Sequence, residues 1–319
     1  MFTVTMDAED APAAKPGHLN AAQLGLARLS LAYVLDAIEI SRDGADIVDR
    51  LLVAAILDAN LGPVKQDASL QAAYAGVHAP PPQALFRPVS INAIAQSLGL
   101  PFETVRRRVA RLVRAGACTS TAQGLVASQD HLGSAAFKAM SVARYERLKR
   151  FYFDLKAMDG LPPLRGRTAP AVTAEAPVRI ANRILAEHLM RFIEVAMRRV
   201  GDPLAALVLL HMARANTEGV DISIGDPRAL AAAARPVTNR LLGDLLNVSP
   251  ETVRRRTAAL TRAGYCRRTA EGFVARLEAL DRPELVRLFA HNDAEVRRLF
   301  GDLDRFGVVA ALDEDLATS

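Results

Sequence analysis

Tryptophan is absent from this 319-residue chain, aromatic residues make up only 5% of it, and there are two cysteines. Two cysteines in a chain of this length exclude a disulfide scaffold and point to a reducing compartment. No apolar run is long enough to span a bilayer. The most apolar window, Pro203–Ala213, reads as a core helix. The N-terminal stretch carries early acids and lacks an apolar h-region, which argues against a signal peptide. Walker, GxGxxG, HExxH, GxSxG and CxxC motifs are all missing, and the six histidines show no metal-ligand spacing. No enzyme activity, cofactor or metal is therefore expected.

What is present is hydrophobic bulk, 50% of residues, enough for two ordinary domains. A formal net charge of +5 permits an acidic partner without demanding one. The hexapeptide ETVRRR occurs at Glu103–Arg108 and again at Glu251–Arg256, 148 positions later. At that offset Arg87–Ser128 lies over Arg235–Arg276 without a gap, and 21 of the 42 positions are identical. The chain is internally duplicated. Fainter similarity extends to both sides, with Asp46–Asn60 over Asp202–Asn216 at an offset of 156. The extra residues of the first copy fall in Leu61–Gln83, whose three consecutive prolines predict a loop.

Periodicity and capping signals predict the same elements in each copy. A long amphipathic helix (Ala21–Arg42; Ala181–Arg199) precedes an apolar one (Asp46–Asn60; Asp202–Asn216) with an aspartate at the N-cap. A short helix follows, opened by Ser90 or Thr238 and ended by Gly99 or Asn247. The next helix carries the arginines and ends at Gly116 or Gly264. In the second copy Ser249 caps it and Pro250 stands at N1, whereas the first copy has a weaker cap. Two short strands around a glycine-containing turn (Gly124; Gly272) and a long helix (Ser134–Met158; Arg282–Phe306) complete the unit. The expected division is a tail over 1–18, a first repeat over 19–158, a linker over 159–178, a second repeat over 179–308 and a tail over 309–319.

Short helix, tight turn, second helix and hairpin form the pattern of a winged helix-turn-helix. The tract ETVRRR, followed by Leu112, Arg114, Ala115 and Gly116, resembles the recognition helices of bacterial winged-helix transcription regulators. In layout each half most resembles a MarR-type subunit. The longer Asp- and Arg-rich wing of those proteins is missing, so the resemblance is to the winged-helix superfamily. It implies a mainly α fold with small β-wings: two tandem winged helix-turn-helix units whose flanking helices form an intramolecular pseudo-dimer. It also implies a sequence-specific regulator of transcription that sets two recognition helices on an inverted repeat in double-stranded DNA. RNA polymerase is a candidate partner, and a homodimer of whole chains stays open. No membrane association is expected, and the location implied is the cytoplasm, at the nucleoid. Two other readings stay open: a plasmid- or phage-type replication initiator, and a winged-helix scaffold that binds no DNA.

At about 100° per residue, Arg107 lies nearly opposite the apolar stripe of Val105, Val109 and Leu112. Arg107 and Arg255 are thus the candidates for base edges, since a guanidinium fork can donate two parallel hydrogen bonds to guanine. Thr104 and Thr252 sit near them at the helix N-termini. Arg106, Arg108 and Arg114, with Arg254, Arg256 and Arg262, are candidates for phosphate, and Arg111 joins the DNA-facing set. For Arg106 and Arg108 the competing reading is a structural pair with a neighbouring acid. Arg267 and Arg268 in the second hairpin, where the first has Thr119 and Ser120, predict a firmer grip by the second half. Cys118 and Cys266 occupy equivalent positions and read as small apolar residues packed beneath the hairpins.

Overall fold

The computed structural model describes residues 21–42, 46–164, 175–221, 226–277 and 283–318. It is mainly helical, with two small antiparallel two-stranded sheets. The first half runs α1 (Ala21–Arg42), α2 (Ile47–Asn60), α3 (Gly62–Gln66), α4 (Ala68–Ala73), α5 (Ile91–Leu98), α6 (Phe102–Arg114), β1 (Cys118–Thr121), β2 (Gly124–Ala127), α7 (Gln129–Gly133) and α8 (Ala135–Ala157). The second runs α9 (Val178–Val200), α10 (Pro203–Asn216), α11 (Pro227–Ala233), α12 (Asn239–Leu246), α13 (Pro250–Arg262), β3 (Cys266–Arg268), β4 (Phe273–Ala275), α14 (Pro283–Arg305) and α15 (Val308–Thr318).

The caps fall where the sequence places them. Asp46 accepts from the amides of Val48 and Asp49, and Asp202 from that of Ala205. Gly99 and Asn247 close α5 and α12 in the left-handed conformation, at φ 60° and 49°. Three expectations need correction. Residues 61–83 are not a plain loop: Pro63 stands in the first turn of α3, and Asp67 caps α4 by accepting from Ser69 and Leu70. The three prolines themselves remain non-helical. At the other end, residues read as a tail form α15, because Val308, Val309 and Leu312 bury themselves in the core. Gly124 begins β2 rather than sitting within the turn, whereas Gly272 lies in the turn before β4 as expected, its carbonyl accepting from Thr269 N at 2.8 Å. A Cβ on either would strike the carbonyl of Val89 or Val237, which bridges to the hairpin as a third extended segment. The proposed N-terminal tail and half of the linker, 165–174, lie outside the described residues.

One core joins the two halves. Tyr33 of α1, Leu148 and Phe151 of α8, Leu185 of α9, Phe300 and Leu303 of α14 and Leu312 of α15 share it, all at most 1% exposed. Tyr33 and Phe151 stack at 4.3 Å between ring centroids. Tyr152 and Phe300, equivalent positions at the 148-residue offset, meet at 5.9 Å. Two further cores fill the helix–turn–helix and hairpin of each half. Leu24 of α1 packs in that of the second half, and Met190 of α9 packs against that of the first.

Each hairpin is fixed to the bundle by a fully buried asparagine. The Asn60 amide donates to the carbonyls of Arg87 and Leu125, and its Oδ1 accepts from Ala127 N at 2.8 Å. Asn216 repeats this with Arg235, Phe273 and Ala275. The side chain thus satisfies buried and half-buried backbone groups at the sheet edge. Replacing Asn60 with Ala should cost about 2–3 kcal/mol, because it takes the side-chain partner from the Ala127 amide and the Arg87 carbonyl, while the Leu125 carbonyl keeps only its bond from Val89 N. Urea unfolding should show the midpoint falling by a corresponding amount. An unchanged midpoint would mean that the asparagine does not hold the hairpin.

Candidate nucleic-acid interface

The arginine helices α6 and α13 bury one stripe and expose the other. Val105, Val109 and Leu112 face the core in the first half, and Val253, Thr257 and Leu260 do so in the second. Thr257 stands where the first half has Val109, and its hydroxyl is satisfied by Asn239 and the Arg254 carbonyl. The second helix is the better capped: Ser249 Oγ accepts from Thr252 N at 3.2 Å, whereas Pro101 offers α6 no side-chain cap. Both threonines singled out from the sequence, Thr104 and Thr252, are half-buried.

The three consecutive arginines have three different environments, and those of the first and third recur in the second half. The first turns back along its own helix, Arg106 to Glu103 at 2.8 Å and Arg254 to Glu251 at 2.6 Å. The third reaches the aspartate that caps the preceding apolar helix. Arg108 Nη1 donates to both Asp46 and Asp49 at 2.7 Å, and Arg256 lies 3.1 Å from Asp202. The middle one points outward. Arg107 is exposed and has no acidic partner among the described residues, and Arg255, 73% exposed, has only a 3.3 Å contact with Glu251. Three adjacent residues on a helix project about 100° apart, so the third is turned well away from the first.

The electrostatics follow from these contacts. Hydrogen bonds from Arg254 and Arg255 hold Glu251 down at about 2, so its carboxylate stays ionised until pH falls through that value. Burial pulls on Arg108, but its hydrogen bonds and charge pairing with Asp49 and Asp46 outweigh this and raise it. Arg111 also binds Asp49, at 2.5 Å. At the equivalent positions the second half has Ala259 for Arg111 and Ala205 for Asp49. Charge and countercharge are present together or absent together, so neither half is left with an unmatched member of the pair.

Arg114 and Arg262 are exposed in the last turns of their helices, and Arg267 and Arg268 are exposed on β3. Cys118 and Cys266 are buried and free, and burial pushes both thiols up. The roles of Asp46, Asp49 and Asp202 as holders of arginines were missed in the sequence. The available signal was an aspartate cap repeated at the same place in both copies. Among the described residues no cluster of histidines, cysteines or acids could hold a metal, and no helix is long and apolar enough to cross a membrane. Compared with known protein families, curated proteins and solved structures, the chain matches none.

Asp49 is only 14% exposed and serves two guanidinium groups. Asp49→Ala should therefore destabilise the chain by about 1–2 kcal/mol, a buried-pair loss discounted for the partial exposure of its partners. Arg111→Ala, which removes the more exposed partner, should stay within about 0.5 kcal/mol of the parent. Denaturant titration of both variants checks the ordering, and a reversal would remove Asp49 as the anchor of α6.

Proposed function

We propose that the chain is a sequence-specific regulator of transcription that binds double-stranded DNA through α6 and α13, each the second helix of a winged helix-turn-helix. The observation that carries this reading is the outward arginine, Arg107 or Arg255, exposed at the same helix position in two copies of one helix–turn–helix–hairpin unit. An exposed arginine on a helix whose neighbours are braced from behind suits bidentate contact with a guanine edge, most directly at Arg107, which has no acidic partner among the described residues. Arg106 and Arg108 with their counterparts Arg254 and Arg256 then act chiefly as braces. Phosphate contact falls to Arg114 and Arg262 and to the hairpin pair Arg267 and Arg268.

The shared core supports the second part of the reading, an intramolecular pseudo-dimer. Equivalent residues that touch each other, as Tyr152 and Phe300 do, are what an isologous two-fold contact produces. Two such half-sites in one polypeptide need no association step before the second contact. One chain then occupies one inverted repeat, with half-site centres about 10 bp apart.

Arg107→Ala or Arg255→Ala should weaken binding to the preferred duplex by about 1–3 kcal/mol and relax base preference within one half-site. Arg262→Ala should weaken all duplexes alike and lower the slope of log affinity against log salt by about one unit. Titrations of labelled duplexes over a salt series separate the two patterns. Unchanged base preference in Arg107→Ala would remove the assignment of that residue. The mass of the complex on a short inverted repeat gives the stoichiometry: one chain is expected, and two chains on one repeat would overturn the pseudo-dimer.

A further inference from the structure

A mostly apolar cavity of about 160 Å³ lies between the two halves, with no residue of either ETVRRR tract in its lining. Ile47, Leu51 and Ala54 of α2 and Ala206, Leu207 and Leu210 of α10 line it, with α8 and α9 completing the wall. For scale, an apolar cavity of about 150 Å³ accepts a benzene ring. There is room here for one ring or a short acyl chain.

The polar part of the lining has one sign. Arg50, Lys65, Arg144, Arg179 and Arg183 reach it against a single carboxylate, Asp58, which already binds Lys65 at 2.8 Å. Three of the remaining four are also engaged. Arg50 donates to the Arg42 carbonyl, Arg179 to Val77 and Leu132, and Arg183 to Gln71 and Tyr74. Arg144 differs from them. Its Nε is buried without a hydrogen-bond partner, and no acid among the described residues pairs with it. Burial pulls its guanidinium down to about 10, opposed only by Tyr33. A buried cation is costly unless a counter-ion reaches it, and the arginine fork matches a carboxylate.

We propose that this cavity binds a small amphiphilic carboxylate, its head on Arg144 and its apolar body between α2, α9 and α10. The position has a consequence for the arginine helices. Ile47 and Pro203 in the lining directly follow Asp46 and Asp202, the caps that hold Arg108 and Arg256. An occupant between α2 and α10 therefore sets the separation of the two arginine helices. On the DNA-binding reading, on which this second statement rests, it changes affinity for the duplex.

Calorimetry on the full chain without DNA tests the site, with octanoate as the probe and 1-octanol as its uncharged counterpart. One octanoate per chain is expected, bound about tenfold or more tighter than octanol, as a charge-assisted hydrogen bond implies. Arg144→Met should erase that preference, and Ala186→Phe, which fills the cavity from α9, should abolish binding of both. Equal affinity for the two probes would overturn the proposal. So would a preference that survives Arg144→Met or, should that variant not fold, octanoate binding undiminished in Ala186→Phe. In a second arm octanoate should shift the duplex Kd of the parent chain by about fivefold and leave that of Ala186→Phe unchanged. An unshifted Kd in a chain that binds octanoate overturns the coupling. A chain that binds no duplex overturns the DNA reading, while the calorimetry still decides the cavity.

Discussion

Everything else in this molecule depends on the way each half completes the other. Arg28 of α1 donates to the carbonyls of Thr217, Val220 and Asp221, just beyond the end of α10. Arg183 of α9 makes the reciprocal reach, to Gln71 and Tyr74 in the segment that follows α2. A guanidinium set among carbonyls that have no helical partner satisfies several acceptors at once, and beyond a helix C-terminus it also meets the negative end of the dipole. These segments lead into Val89 and Val237, the third extended segments of the two hairpins. The first helix of each half thus fixes the route by which the chain enters the other half's helix–turn–helix. Apolar burial by Leu24 and Met190 runs in the same two directions.

Duplication has left the halves similar in plan and different in stiffness. On α6 two arginines converge on Asp49, and one of them also reaches Asp46. On α13 a single arginine meets a single aspartate. The second half compensates through its helix start, where Ser249 and Pro250 define the first turn. One helix is held from its middle and the other from its end. Their outward arginines are therefore supported with different freedom, although the hexapeptide is identical.

Much of the plan was legible in the letters because capping and periodicity are local. Asp46, Ser90, Gly99, Thr238, Asn247 and Ser249 each act within a few residues of themselves, and each took the predicted place. The misread C-terminal segment was governed by distant contacts, whereas the caps of α3 and α4 are local and were passed over. Nothing near Val308–Thr318 distinguishes it from a frayed end, since its apolar face is decided by the shared core. The arginine tract shows both cases. Helical geometry alone separated Arg107 from the buried stripe, whereas the partners of Arg108 lie 62 and 59 positions away in the chain. The asparagine clamp escaped notice for the same reason, although Asn60 and Asn216 end equivalent helices.

The crossing of α1 into the second half also bears on how the chain is made. Arg28 and the Val220 carbonyl it binds are 192 positions apart. At ribosomal speeds of about 5–20 residues per second, α1 waits on the order of ten seconds or more for that partner. Throughout that interval the emerging first half has its own hairpin and arginine helix but lacks α9, α14 and α15, which close its bundle. Contacts of such sequence separation slow folding and leave apolar surface open meanwhile. Synthesis of the last helix, rather than of the first repeat, is the event that completes the shared core.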